Sequence, residues 1–183
     1  MKTKKVLPLI LLLFVAIMLL SVGMIAKEYR ERQEDIKGFE KLEDIITEVE
    51  QTEMTDNVEQ TKTPQEQKQS SRNLTPLFEL NGDCIGWICI PNTAVNYPVM
   101  FTPEEPQKYL RKNFEGEYSA SGVPFLDGAS TMEYDNLIIY GHNMKNGSMF
   151  GTLKKLEKEP GLCASNPYIY VYTKGHVRKY RIF

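Results

Sequence analysis

A mainly β domain, built as a small barrel or closed sheet with short helices inserted and carried on a membrane-spanning helix, is what this sequence predicts. Three observations carry the prediction. The N-terminus holds a long uncharged apolar run. The second half holds six short runs rich in Val, Ile, Tyr and Phe, separated by Pro, Gly and Asn. Between them lies a polar stretch with almost nothing to bury. With 183 residues there is room for one globular domain and its attachments. A net charge of −2 and an isoelectric point near 5.8 leave no basic footprint, which argues against nucleic acid as a partner.

Lys2, Lys4 and Lys5 precede a charge-free segment over 6–26. At 1.5 Å per residue it spans roughly 31 Å, about the thickness of a bilayer core. The lysines bias residues 1–5 to the cytoplasm and the rest of the chain to the outside. The reading is a single-pass signal anchor in the cell membrane. The alternative, a cleaved signal peptide, fits less well because Met24, Ile25 and Ala26 make a poor small-residue cleavage site. Over 27–50, Ile36, Phe39, Leu42, Ile46 and Val49 recur every three or four residues among charges, which predicts an amphipathic juxtamembrane helix. Its stripe faces the outer domain, another copy, or solvent as a plain spacer. Residues 51–72 are Gln, Thr, Lys, Glu and Ser with few apolar side chains, and a flexible tether is expected.

The folded part, 73–183, begins near Asn73. Strands are expected over 85–90, 94–100, 123–126, 136–140, 168–172 and 177–183. Pro98 points to an edge or a bulge in the second of these. Thr102-Pro103-Glu104-Glu105 resembles a capping box opening a short helix towards Arg111, with Pro106 moving its start later. Ser148 is expected to cap a helix through Leu153 and Leu156 that ends at Pro160-Gly161. Lys174-Gly175 signals a hairpin. The three cysteines, Cys84, Cys89 and Cys163, have neither CxxC spacing nor a histidine nearby, so no zinc site is expected. Cys84 and Cys89 are five apart, which places them on opposite faces of one strand as small buried hydrophobes.

The most informative stretch is 140–150, Tyr-Gly-His-Asn-Met-Lys-Asn-Gly-Ser-Met-Phe. His142 directly follows an apolar run and precedes turn residues, so it stands where a strand ends and presents a side chain at the rim of a sheet. The chain has two histidines, and one in such a place is a candidate acid/base group. His176, beside Gly175, is expected at an exposed hairpin tip.

From Asn73 onward the motifs resemble the class B sortases. Asn81-Gly82-Asp83 with Ile85-Gly86-Trp87-Ile88 is similar to their opening strand, and Asn96-Tyr97-Pro98-Val99 to the next. Tyr109-Leu110 and Asn113-Phe114 resemble the helix and turn that follow, and 122–127 their G-S-I-F-M-D stretch. Residues 136–150 match the histidine strand and loop. The resemblance implies a membrane-anchored cysteine transpeptidase of a Gram-positive cell surface. Such an enzyme cleaves a C-terminal sorting signal on a secreted protein through a thioacyl intermediate. It then joins the product to an amine, typically a cell-wall precursor. His142 would be the general acid/base, with Tyr140, Tyr109, Leu110 and Phe114 as candidate substrate-groove residues. No cofactor or metal is called for.

The family's nucleophilic cysteine, in a TLxTC-like motif, and its later arginine have no counterpart in 73–183. Cys84 and Cys89 lie in the opening strand, Cys163 in a loop, and Arg178 and Arg181 on solvated strand faces. The expectation is therefore a partial sortase domain without its C-terminal strands, inactive and poorly stable as written. Two rivals are a non-catalytic sortase-like module that binds peptides or another membrane protein, and an unrelated small barrel.

Overall fold

The computed structural model describes residues 3–56, 72–130, 134, 136–165 and 167–183. Most of the expected tether (57–71) and Asp135 lie outside the described residues. The first element, α1 (Thr3–Asp56), is one helix running through the apolar segment and the charged segment after it. It continues past the expected end at 50. Between positions 10 and 25 its large apolar side chains are 47–74% exposed, and this helix is long and apolar enough to cross a membrane. Further along, one face turns onto the domain. Leu42 and Ile46 are buried, and Phe39 meets Tyr97 edge-on at 4.9 Å between ring centroids. Ser119 Oγ donates to Asp35 Oδ2 at 2.9 Å beside this contact. Ile36 stays exposed, and the side chain of Val49 lies outside the described residues.

A short helix the sequence reading did not foresee, α2 (Thr75–Leu80), opens the domain with Pro76 in its first turn. The Thr75 N–H donates to Asn73 Oδ1 at 3.0 Å, and Leu77 is fully buried. The strands are β1 (Cys84–Cys89), β2 (Asn96–Met100), β3 (Phe125–Leu126), β4 (Ile139–Tyr140), β5 (Tyr168–Thr173) and β6 (His176–Arg181). They form one six-stranded sheet in the order β4-β3-β2-β1-β5-β6, a half-barrel whose outer strands among the described residues are β4 and β6. Pairings are antiparallel except β2 with β3, which meet in parallel at Met100 and Phe125. β2 is thus an inner strand rather than an edge. Pro98 is accommodated because β3 reaches β2 only at Met100. The β5–β6 hairpin turns at Lys174-Gly175 with Gly175 at φ +77°.

Core packs on both faces of the sheet. One side gathers Trp87, Met100, Phe125, Tyr170 and Tyr172 with Leu42, Ile46, Leu74 and Leu77 from the helices. The other gathers Ile88, Ile90, Val95, Val99 and Val171 with Met149 and Leu156. The Trp87 indole N–H, fully buried, donates to Asn96 Oδ1 at 2.7 Å, so its polar atom is satisfied. Gly86 is required where β1 and β5 approach, since a Cβ there would collide with the Tyr172 carbonyl.

Four local expectations are corrected. The pairing register shifts between Cys84 and Gly86, a bulge that adds one residue to β1. The extra residue resets the alternation, so Cys84 and Cys89 pack towards the same side as Trp87 instead of opposite sides. Thr102 Oγ1 donates to the Glu105 carbonyl rather than capping N–H groups, and the helix that follows is a single 3-10 turn, Lys108–Arg111. Ser148 Oγ donates to Asn146 Oδ1 instead of capping, and the helix there is a 3-10 turn (Phe150–Thr152) running into α3 (Leu153–Lys158). The helix ends at Lys158, just before Pro160 as expected; what was not expected is that Pro160 begins a further helix, α4 (Pro160–Ser165), as a proline in a first turn does, so Cys163 is helical rather than in a loop.

Candidate active site

The sheet delivers His142 to its rim through β4. Phe125 pairs with Tyr140 and Leu126 with Ile139, and β4 is only two residues long, shorter than the expected 136–140. Beyond it the chain folds back on itself. A Cβ at Gly141 would stand 2.8 Å from the Phe150 ring, so glycine lets the loop close. The Phe150 N–H donates to the His142 carbonyl at 2.9 Å, Asn143 bridges Met149, and Gly147 turns the loop at φ +83°. Met149 sits at φ +53°, a costly conformation for a residue with a side chain. It is held there by burial and by its N–H donating to Tyr97 Oη at 3.0 Å.

The imidazole of half-buried His142 has its Nε2 2.8 Å from the carbonyl oxygen of Leu110. A carbonyl only accepts, so Nε2 carries the proton in this bond. Nδ1 is then the nitrogen left to take or give a proton. This is the arrangement that general acid/base work requires of a histidine: one nitrogen fixed, the other available.

The Leu110 carbonyl belongs to the 3-10 turn Lys108–Arg111, and a polar network secures that turn. Tyr109 Oη donates to Asp83 Oδ2 at 2.8 Å and accepts from Asn81 Nδ2 at 3.0 Å. Lys108 Nζ lies 2.6 Å from the same carboxylate oxygen. The hydrogen bond from Lys108, with that from Tyr109, holds the Asp83 carboxyl below the usual carboxylate range.

Of the sequence-predicted site residues, the structure joins His142 to Leu110 through the latter's backbone. Tyr140 lies on the outer strand, 47% exposed, its ring 5.5 Å from that of Phe125. Tyr109 and Phe114 are buried in the core cluster with Met100, Val123 and Phe125. His176 is exposed at the start of β6. Arg181 is exposed, and Arg178 is half-buried and donates to the Tyr134 carbonyl. Among the described residues, no cysteine is hydrogen-bonded to His142. Burial pushes the Cys84 thiol up to about 12 and raises that of Cys89, the opposite of nucleophile activation. Cys163 lines an apolar cleft with Leu153, Leu156, Pro167 and Ile169.

Sequence reasoning missed the Leu110 carbonyl and the Asp83 carboxylate. A backbone acceptor leaves no mark in a sequence, and Asp83 and Tyr109 are 26 residues apart with no periodicity to connect them.

A profile of the sortase domain matches residues 88–183. The chain belongs to the sortase family. Its relatives place it with the class B sortases. It is 38% identical to sortase B of Listeria monocytogenes over 99 residues, covering 53% of this chain and 40% of the relative. With sortase B of Staphylococcus aureus it shares 28% over 165 residues, 87% of this chain and 60% of the relative. Among solved structures, a B. anthracis sortase B superposes with a TM-score of 0.65 at 26% identity, covering 85% of this chain and 68% of that one. Clostridium perfringens sortase B gives 0.55 at 33%, covering 60% and 59%. This sortase chain therefore spans about half the length of the curated relatives it matches. The half-barrel sheet agrees with the mainly β fold expected, and the apolar part of α1 is a candidate membrane anchor.

Proposed function

We propose that this chain is part of a membrane-anchored cysteine transpeptidase of the class B sortase type. The apolar part of α1 spans the membrane with residues 1–5 in the cytoplasm, and the domain lies outside. There it acts on secreted proteins bearing a C-terminal sorting signal and joins them to a cell-wall amine. His142 exchanges the proton between the nucleophilic thiol, the leaving amine and the incoming amine. Tyr140 and Leu110 line the adjoining groove, and Tyr109 and Phe114 buttress it. The single observation that carries this reading is His142 at the sheet rim, Nε2 bound by a backbone carbonyl and Nδ1 left for chemistry.

The three cysteines of this chain are not the nucleophile in this reading, because Cys84 and Cys89 are raised by burial and Cys163 lines a cleft of its own. The 183-residue chain by itself is accordingly inactive. Two assays with a sorting-signal peptide and an amine acceptor test the proposal. In the whole transpeptidase of which this chain is proposed to be part, held in its native membrane, His142→Ala lowers turnover by roughly 10²–10⁴-fold. The isolated chain shows no turnover, and activity abolished by Cys163→Ala would overturn that part.

A further inference from the structure

The carbonyl that binds His142 is itself tightly held. Gly122, at φ +60°, lies so close to the 3-10 turn that a Cβ there would stand 2.5 Å from the Leu110 oxygen and 2.6 Å from the Tyr109 oxygen. Ordinary carbon–oxygen contacts begin at about 3.3 Å, so a side chain would drive the carbonyl back by roughly 0.8 Å. Gly122 is in turn fixed from below. Its N–H donates to buried Ser119 Oγ at 3.0 Å, and the next N–H, of Val123, donates to the Tyr109 carbonyl at 3.1 Å. Tyr109 Oη and Lys108 Nζ also tie the same turn to Asp83. Asp83 is anchored just before β1, its carbonyl accepting from the Phe101 N–H at 2.8 Å. Neither Gly122 nor the Tyr109–Asp83 pair is hydrogen-bonded to the imidazole.

We propose that Gly122 and the Tyr109–Asp83 pair are positioning residues for His142: they hold the Leu110 carbonyl where it fixes the ring and so aim Nδ1 at the reacting groups. The proposal rests on His142 being the acid/base group and adds how that group is aimed. A bond of 2.8 Å has little slack. A carbonyl displaced by most of an ångström leaves hydrogen-bonding range, and a misplacement of that order at a catalytic group costs about 10²-fold in rate.

The test uses the whole chain, labelled with ¹⁵N-histidine and held in lipid nanodiscs. The chain has two histidines, so two rings are observed, and exposed His176 serves as the internal control. A protected imidazole Nε2–H resonance is expected for His142, while the ring N–H of His176 exchanges with water. Gly122→Ala removes the His142 resonance with Trp87 emission unchanged. Tyr109→Phe and Asp83→Asn keep the resonance but speed its exchange on the order of tenfold. Absence of the resonance in the wild type overturns the proposal, as does its survival in folded Gly122→Ala. Should Gly122→Ala unfold, seen as a red shift of Trp87 emission, Tyr109→Phe decides, and wild-type exchange in that variant overturns the proposal. The catalytic reading fails separately: unchanged turnover in His142→Ala of the whole transpeptidase would sink it whatever the resonance shows.

Discussion

Replacing Tyr97 with Phe isolates one atom that links the anchor helix to the histidine loop. The ring of Tyr97 packs against Phe39 of α1, and its hydroxyl accepts the N–H of Met149, the residue that closes the loop behind His142. Phe keeps the ring and its contact with Phe39 but leaves that N–H without an acceptor. Met149 is 1% exposed, so water cannot replace the lost oxygen. An orphaned buried donor costs about 1–3 kcal/mol. Met149 also sits at φ +53°, a conformation that persists only while its surroundings hold it. A loss of about 2 kcal/mol is expected. With a urea dependence of about 2 kcal/mol per molar, the unfolding midpoint falls by roughly 1 M. The assay is equilibrium urea unfolding of the detergent-solubilised chain, followed by emission of Trp87, its one tryptophan and fully buried. Phe39→Leu is the companion variant: it keeps the hydroxyl bond and loses an aromatic edge contact of about 0.5–1.5 kcal/mol. A Tyr97→Phe midpoint within about 0.2 M of wild type would refute the reasoning.

Three further outcomes are expected. Because Lys108 and Tyr109 hold the Asp83 carboxyl below its ordinary value of 3.8, its contribution is present above about pH 4 and lost as pH falls through the lower folded value. Asp83→Asn should flatten the stability profile below about pH 4, and parallel profiles for the two proteins there would contradict this. The Cys84 thiol, raised from 9.0 to about 12 by burial, contributes stability that is complete below pH 9 and lost as pH rises towards 12. At pH 8 iodoacetamide should modify Cys163 before Cys84, with Cys84 reacting only when urea unfolds the chain; equal rates would show that the opening strand is not closed over it. Gly86→Ala places a methyl against the Tyr172 carbonyl and should cost about 1–3 kcal/mol by parting β1 from β5. Unchanged hydrogen exchange in β5 would count against that steric account.

The sequence by itself determined the order and type of most elements. Short apolar runs bounded by Pro, Gly and Asn placed all six strands within a few residues, because a strand buried on both faces reads as an apolar run closed by turn residues. Periodicity picked out Phe39, Leu42 and Ile46, because one helical stripe has to find a cover. The family followed from ordered motifs, and His142 from its place between an apolar run and a turn. Tertiary structure decided what depends on partners distant in the chain. The stripe of α1 is covered by this domain itself, through Leu74, Leu77 and Tyr97. The bulge at Cys84–Gly86 turned a cysteine to the other face, because one added residue resets every side chain before it. Ser148, Thr102 and Pro160 carry local signals that several turn geometries share, and the packed chain selected among them. The Leu110 carbonyl that fixes His142 was legible nowhere in the sequence. Every residue has a carbonyl, and only the fold decides which one a histidine 32 positions away will meet.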